Sequence, residues 1–153
     1  MNKVLFSSLS PHWNTPRDLY VQLNAEFHFN DDPCPEGGIF GLDRPWGTST
    51  YCNPPYGSAI GEWLDKGLGE HQQGKMIVFL LPARTDTKWF HDFVLPKADE
   101  IRFIRGRLCF IRPDGSSGRA PFPSMVVIFR AKRESQKAGV IQESPSVKVS
   151  DAD

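Results

Sequence analysis

The stretch STYCNPPYGSAIGEWLDKGLGEHQQGKMIVFLL, residues 49–81, changes its periodicity twice. Ser49 to Cys52 favours a β-strand and runs straight into Asn53-Pro54-Pro55-Tyr56. Consecutive prolines cannot lie inside a helix or a central strand, because neither donates an N–H and both fix φ. Ile60, Trp63, Leu64, Gly67 and Leu68 then fall at i, i+3, i+4, i+7 and i+8, one face of a helix that Ser58 can cap. Met76 to Leu81 is unbroken apolar sequence, the mark of a strand buried on both faces, and Pro82 ends it. Strand, helix and buried strand in this order predict an α/β sheet with helical crossovers.

Outward from this core the same reading continues. Thr15-Pro16-Arg17-Asp18 has a capping residue, a proline at the first helical position and an acid, so a helix is expected from Pro16 to about Ala25. Phe27 to Asp31 or Asp32 alternates like a short strand, and Pro33 to Gly47 reads as loop. After Pro82, the apolar residues Trp89, Phe90, Phe93 and Val94 predict a second amphipathic helix, with Asp86 or Thr87 as its cap. Strands are expected over Ile101–Ile104, Leu108–Ile111 and Met125–Phe129, with turns at Gly106 and from Pro113 to Gly118. The expectation is one domain, residues 1–130, with a mixed, mostly parallel sheet and helices on both faces. Residues 131–153 turn polar and lack aromatic side chains, so a disordered tail is expected there.

Composition narrows the class. No basic start followed by an apolar run is visible, and no apolar stretch approaches the ~20 residues of a membrane span. Cys34, Cys52 and Cys109 have neither disulfide nor zinc spacing, which points to a reducing compartment. Net charge is zero but unevenly placed: residues 1–83 carry −4 and residues 84–130 carry +4. Arg102, Arg105, Arg107, Arg112 and Arg119 crowd the second part, and Arg84 follows the end of a buried strand, so a polyanion would find its cations there. Solvated strand faces explain the same charges without a partner.

In an open α/β sheet ligands bind beyond the carboxyl ends of strands, which is where the Asn-Pro-Pro-Tyr turn falls. An amide, a rigid backbone and an aromatic ring fit one chemical problem: methylating an exocyclic amine on a planar ring. That nitrogen is a poor nucleophile, because its lone pair is delocalised. With Asn53 Oδ1 accepting one amino hydrogen and the Pro54 carbonyl the other, the nitrogen is drawn towards tetrahedral geometry. Pro54 and Pro55 hold the carbonyl as an aimed dipole. Tyr56 can stack on the ring and keep it out of a duplex.

Seven stretches in order then resemble the phage-type DNA N-6-adenine methyltransferases, the small Dam-like family. They are Trp13–Pro16, Phe29–Pro35, Gly41–Trp46, Cys52–Gly57, Leu81–His91, Ile101–Phe110 and Ala120–Ser124, spread over roughly residues 11 to 130. The resemblance implies an S-adenosylmethionine-dependent fold acting on double-stranded DNA, in the cytoplasm of a bacterial host cell, with no metal. It implies a cofactor bordered by Asp32, Pro33, Cys34 and Asn53, with Trp13 and Thr15 on its other side. Either Asp32 or Asp43 would grip the ribose. No Gly-x-Gly loop follows the first strand; Pro33-Cys-Pro-Glu-Gly-Gly stands there instead.

Three rivals carry different expectations. Cytosine C5 methylation would use Cys34 as nucleophile, leaving Asn-Pro-Pro-Tyr without a task. Methylation of a glutamine amide poses the same planar-nitrogen problem. A degenerate fold that only binds nucleic acid has no need of Asn53 and Tyr56. Target sequence and oligomeric state have no signature in the chain.

Overall fold

The computed structural model describes residues 13–35, 40–112 and 114–132. Of the expected polar tail, residues 133–153 lie outside the described residues. Among the described residues, two α-helices, α1 (Arg17–Phe27) and α2 (Ile60–His71), accompany six strands. These are β1 (Ser49–Cys52), β2 (Met76–Pro82), β3 (Glu100–Phe103), β4 (Cys109–Ile111), β5 (Ser117–Arg119) and β6 (Ser124–Phe129). Four of them form a sheet in the order β1-β2-β6-β3, while β4 and β5 make a separate hairpin.

The expected sheet direction needs correction. Strands β1 and β2 are parallel, but β6 pairs antiparallel with both β2 and β3, so most pairings between named strands are antiparallel. The reason is insertion. β3 runs parallel to β2, as a crossover demands, yet β6 returns from the hairpin and takes the place between them.

Alternation along β2 and β6 divides the core in two. Ile77, Phe79 and Leu81 face α2 together with Met125, Val127 and Phe129. Val78, Leu80, Val126 and Ile128 face α1 through Leu23 and Phe27, and the hairpin through Phe110. Helices therefore cover both faces. On α2 the five residues at helical spacing are all buried, as expected, though Ala59 occupies the cap position and no side chain caps the helix.

Helix α1 runs two residues further than its sequence suggests. His28 adopts the left-handed conformation (φ 51°), its N–H donates to the Asn24 carbonyl at 2.8 Å, and Phe29 N–H donates to Asn24 Oδ1 at 2.9 Å. Two bonds to one residue close the helix without a glycine. The expected strand after it reduces to one parallel bridge, Asp31 to Thr50, flanked by Asn30 N–H to the Ser49 carbonyl and Tyr51 N–H to the Asp31 carbonyl. The second amphipathic segment is a π-helical turn, Phe90–Val94, with Thr87 Oγ1 accepting the Phe90 N–H at 3.3 Å. β5 arises where only a turn was expected, because Ser-Gly-Arg carries no strand signature of its own.

Gly67 shows how tightly α2 lies on the sheet. A Cβ there would stand 2.5 Å from Phe79 Cζ, and Phe79 is fully buried. Gly69, on the same helix, has open space where its Cβ would be. Gly69→Ala should therefore raise the melting temperature, since alanine gains about 1 kcal/mol over glycine in a helix. Gly67→Ala should lower it despite that gain, because overpacking costs about 1–3 kcal/mol. Thermal melts of the two variants check the contrast, and equal shifts would contradict it.

Candidate active site

Three chain segments meet beyond the carboxyl end of β1. The backbone pairing of residues 30 and 31 with β1 makes Asp32 leave the sheet at the same end as Asn53. Trp13 to Thr15 crosses this end, tied by a bridge between Asn14 and Ile111 of β4. Between them lies a cavity of about 250 Å³, lined by Asn14, Thr15, Tyr20, Asp32, Cys34, Tyr51 and Asn53. Tyr51 and Asn53 are two residues apart on an extended chain, so both point to the same side.

Asn53 is 3% exposed. Its Nδ2 donates to the Trp13 carbonyl and to Thr15 Oγ1 at 3.2 Å, while Oδ1 is buried without a partner among the described residues. The amide orientation is forced by chemistry, since turning it over would set Oδ1 against the Trp13 carbonyl, oxygen against oxygen. A buried acceptor left unmet costs about 1–3 kcal/mol and calls for an explanation. Asn14 Oδ1, from another lining residue, is likewise buried and unpartnered. With the Asp32 carboxylate, the cavity is rich in acceptors and suits a ligand rich in donors.

Neighbouring acids are treated oppositely. Asp31 accepts both Arg44 Nη1 (2.7 Å) and Nη2 (2.8 Å) and the Gly47 N–H, and these bonds, the Arg44 pair foremost, hold its carboxyl below the usual range. Among the described residues, Asp32 accepts the Cys34 N–H at 3.2 Å; burial, with the charge of Asp31 adding to it, pushes its carboxyl up to about 6. One acid clamps the 40–47 loop to the sheet, and the other faces the cavity. Burial also pushes the Cys34 thiol up to about 12, so it is a thiol at neutral pH and unsuited to the attack that cytosine C5 chemistry needs.

An aromatic cluster packs beside the Asn-Pro-Pro-Tyr turn, outside the cavity lining. Tyr56 meets Phe122 edge to face at 5.2 Å and Phe110 at 6.4 Å, and Trp13 packs against the same two rings. Burial raises the Tyr56 phenol well above its ordinary range, so it stays neutral. Arg84, exposed just beyond the end of β2, has its guanidinium 5.9 Å from the Phe122 ring centre.

The comparison with protein families decides what this site belongs to. The model of the family described as DNA N-6-adenine-methyltransferase (Dam) matches residues 40–150. The chain belongs to this family. No curated protein and no solved structure matches it. The match contains the Asn-Pro-Pro-Tyr turn and extends past residue 130, where the domain was expected to end, but it begins after Trp13, Thr15 and Asp32.

In this Dam-family chain, Thr15, Asp32, Cys34 and Asn53 are brought together around the cavity. Pro54 is buried behind Asn53, and Pro55 and Tyr56 follow it away from the cavity lining. Trp13 contributes its carbonyl to Asn53 and its ring to the aromatic cluster. Pro33 is buried, and Asp43 is exposed on the short 3-10 turn Phe40–Asp43; neither lines the cavity. Asn14, Tyr20, Tyr51, Phe110 and Phe122 do not stand out from sequence. Asn14, Phe110 and Phe122 lie inside the resembling stretches Trp13–Pro16, Ile101–Phe110 and Ala120–Ser124, which is the signal they carry there; Tyr20 and Tyr51 lie in none. Among the described residues, no helix is long and apolar enough to cross a membrane, and no group of three His, Cys, Asp or Glu could hold a metal ion.

The arginines separate by environment. Arg102 is gripped bidentately by Glu26 at 2.6 Å, bonded to Glu100 at 2.9 Å, and stacked over Phe27. Arg105, Arg107, Arg112 and Arg119 are exposed on and around the β4–β5 hairpin. Arg102→Ala should therefore lower stability by roughly 1–2 kcal/mol, the scale of a few partly exposed charged hydrogen bonds. The slope of log K for duplex DNA against log salt should stay unchanged. Taking one cation away from a phosphate makes that slope shallower by about 0.9. A shallower slope in Arg102→Ala would return it to the DNA surface.

Proposed function

We propose that the protein methylates the exocyclic amine of an adenine flipped out of double-stranded DNA, using S-adenosylmethionine. The observation that carries this reading is the buried, unpartnered Oδ1 of Asn53. An amino group presented there would satisfy it, and the Pro54 carbonyl beside it is the natural acceptor for the second amino hydrogen. Two such acceptors localise the lone pair on nitrogen, and their work is done before the reaction by a backbone that two prolines hold still.

The cavity residues suit the cofactor as well. Asp32 and Asn14 offer acceptors to hydroxyl and ammonium groups, and Tyr20, Tyr51 and Cys34 supply neutral walls, since burial holds all three proton-bearing groups in their uncharged forms. When bound, S-adenosylmethionine supplies a methyl group on a positively charged sulfur, so no covalent enzyme intermediate is needed. Tyr56, half-buried and backed by Phe110 and Phe122, is the ring against which an unstacked base would rest. Arg84 and the hairpin arginines Arg105, Arg107, Arg112 and Arg119 face the phosphates.

The test is incubation with cofactor labelled in its methyl group, offered DNA, RNA and protein separately. Label in DNA alone supports the reading. Label in protein would move the activity to a side-chain amide, and no transfer to any of them would leave a binding domain.

A further inference from the structure

Thr15 stands immediately before Pro16 and α1 and is a residue type that caps helices, yet α1 has no side-chain cap. Its hydroxyl is used elsewhere. Thr15 Oγ1 lies 2.5 Å from the Tyr51 hydroxyl and accepts the Asn53 Nδ2 hydrogen at 3.2 Å. Tyr51 is 1% exposed, and its ring is fixed among Tyr20 and Phe29. The chain Tyr51–Thr15–Asn53 therefore begins in the rigid core and ends on the amide whose other atom, Oδ1, is buried without a hydrogen-bond partner among the described residues.

We infer that Thr15 is a positioning residue: with Tyr51 behind it and the Trp13 carbonyl beside it, it locks the Asn53 carboxamide so that Oδ1 alone is presented to the substrate. This deepens the proposed methyl transfer and rests on that reading for its kinetic part. Both Nδ2 hydrogens are occupied, one by Trp13 and one by Thr15. Without the Thr15 acceptor one hydrogen loses its partner, and the amide can tilt away from the target amine. Both orienting residues precede residue 40, where the family match begins, whereas Asn53 lies inside it. The segment before the matched stretch thus completes the acceptor.

The inference is tested on the full chain with Thr15→Val, which keeps shape and loses the hydroxyl, and Thr15→Ser, which restores it. In the protein without substrate, NMR of the Asn53 side-chain NH2 should show slow hydrogen exchange in the wild type. Thr15→Val should exchange faster by about five- to tenfold, the scale of one neutral hydrogen bond, and Thr15→Ser should recover. Single-turnover methylation of DNA at saturating cofactor should fall about five- to tenfold in Thr15→Val and recover in Thr15→Ser. Tyr51→Phe removes only the phenol and should shift both readouts in the same direction, which keeps the test open if Thr15→Val folds poorly. Unchanged amide exchange in Thr15→Val, or a Thr15→Ser variant as impaired as Thr15→Val, would overturn the inference. Faster exchange in a protein whose wild type methylates no DNA would uphold the positioning and sink the methyl-transfer reading instead.

Discussion

Replacing Asn53 by alanine should lower the single-turnover rate of DNA methylation by about two to three orders of magnitude, the usual loss for one preorganised acceptor or donor at a reacting group. The truncation removes Oδ1, which waits without a partner, and Nδ2, which only holds the amide in place. The folded protein should tolerate the change, since one unmet buried acceptor disappears while the Trp13 carbonyl and Thr15 hydroxyl lose one donor. Cofactor binding should be largely kept, because Asp32 and Asn14 remain in the cavity wall. Asn53→Asp is the sharper control. It keeps an acceptor at Oδ1 but sets a second oxygen against the Trp13 carbonyl, so it should fold less stably and retain more rate than alanine. Rapid-quench methylation together with calorimetry of the cofactor separates these effects.

Asp32→Asn should make the unliganded protein more stable and the cofactor bind worse. Burial lifts the Asp32 carboxyl to about 6, and Asp31 adds to the rise. The folded state therefore holds this proton more tightly than the unfolded chain, whose carboxyl titrates at about 3.9. Below pH ~4 both states are protonated and Asp32 costs nothing. Between about 4 and about 6 stability falls as pH rises, and above about 6 the penalty is complete and constant. A shift of about two units corresponds to something on the order of 2–3 kcal/mol. Asp32→Asn should therefore melt higher than wild type at pH 7.5 and match it near pH 4. Cofactor affinity follows the opposite course in the wild type, strengthening as pH rises through about 6 and the carboxylate forms. In Asp32→Asn it should be about 10- to 100-fold weaker at pH 7.5, the scale of one or two charged hydrogen bonds. Equal melting temperatures at pH 7.5 would contradict the buried-acid account. Unweakened binding would remove Asp32 from the cofactor site.

The segment from Ser49 to Pro82 is legible because burial there is local. Each apolar residue of α2 and β2 sits at a position that its own spacing predicts, and the turn between β1 and α2 carries its chemistry in four consecutive residues. Sheet direction is not legible. That β6 slips between β2 and β3 depends on where the hairpin returns the chain, and no local pattern in Met125 to Phe129 records its neighbours. Thr15 reads as a helix cap because its residue type and the following proline fit that role, while its partners Tyr51 and Asn53 are 36 and 38 residues away. Distance in sequence hides the aromatic cluster too, since Trp13, Tyr56, Phe110 and Phe122 meet only when the hairpin folds over the turn. The Arg102 pairing with Glu26 spans 76 residues, which is why a charge count places it with the other arginines.

In the proposed reaction the unpartnered Asn53 Oδ1 accepts a hydrogen from the target adenine amine. The most direct measurement is nucleoside analysis of duplex DNA after turnover with methyl-labelled cofactor, by wild type and by Asn53→Ala. Label is expected in N6-methyladenine for the wild type, with a loss of about two to three orders of magnitude for the variant. Label in 5-methylcytosine, or N6-methyladenine formed equally fast by Asn53→Ala, would contradict the proposed reaction.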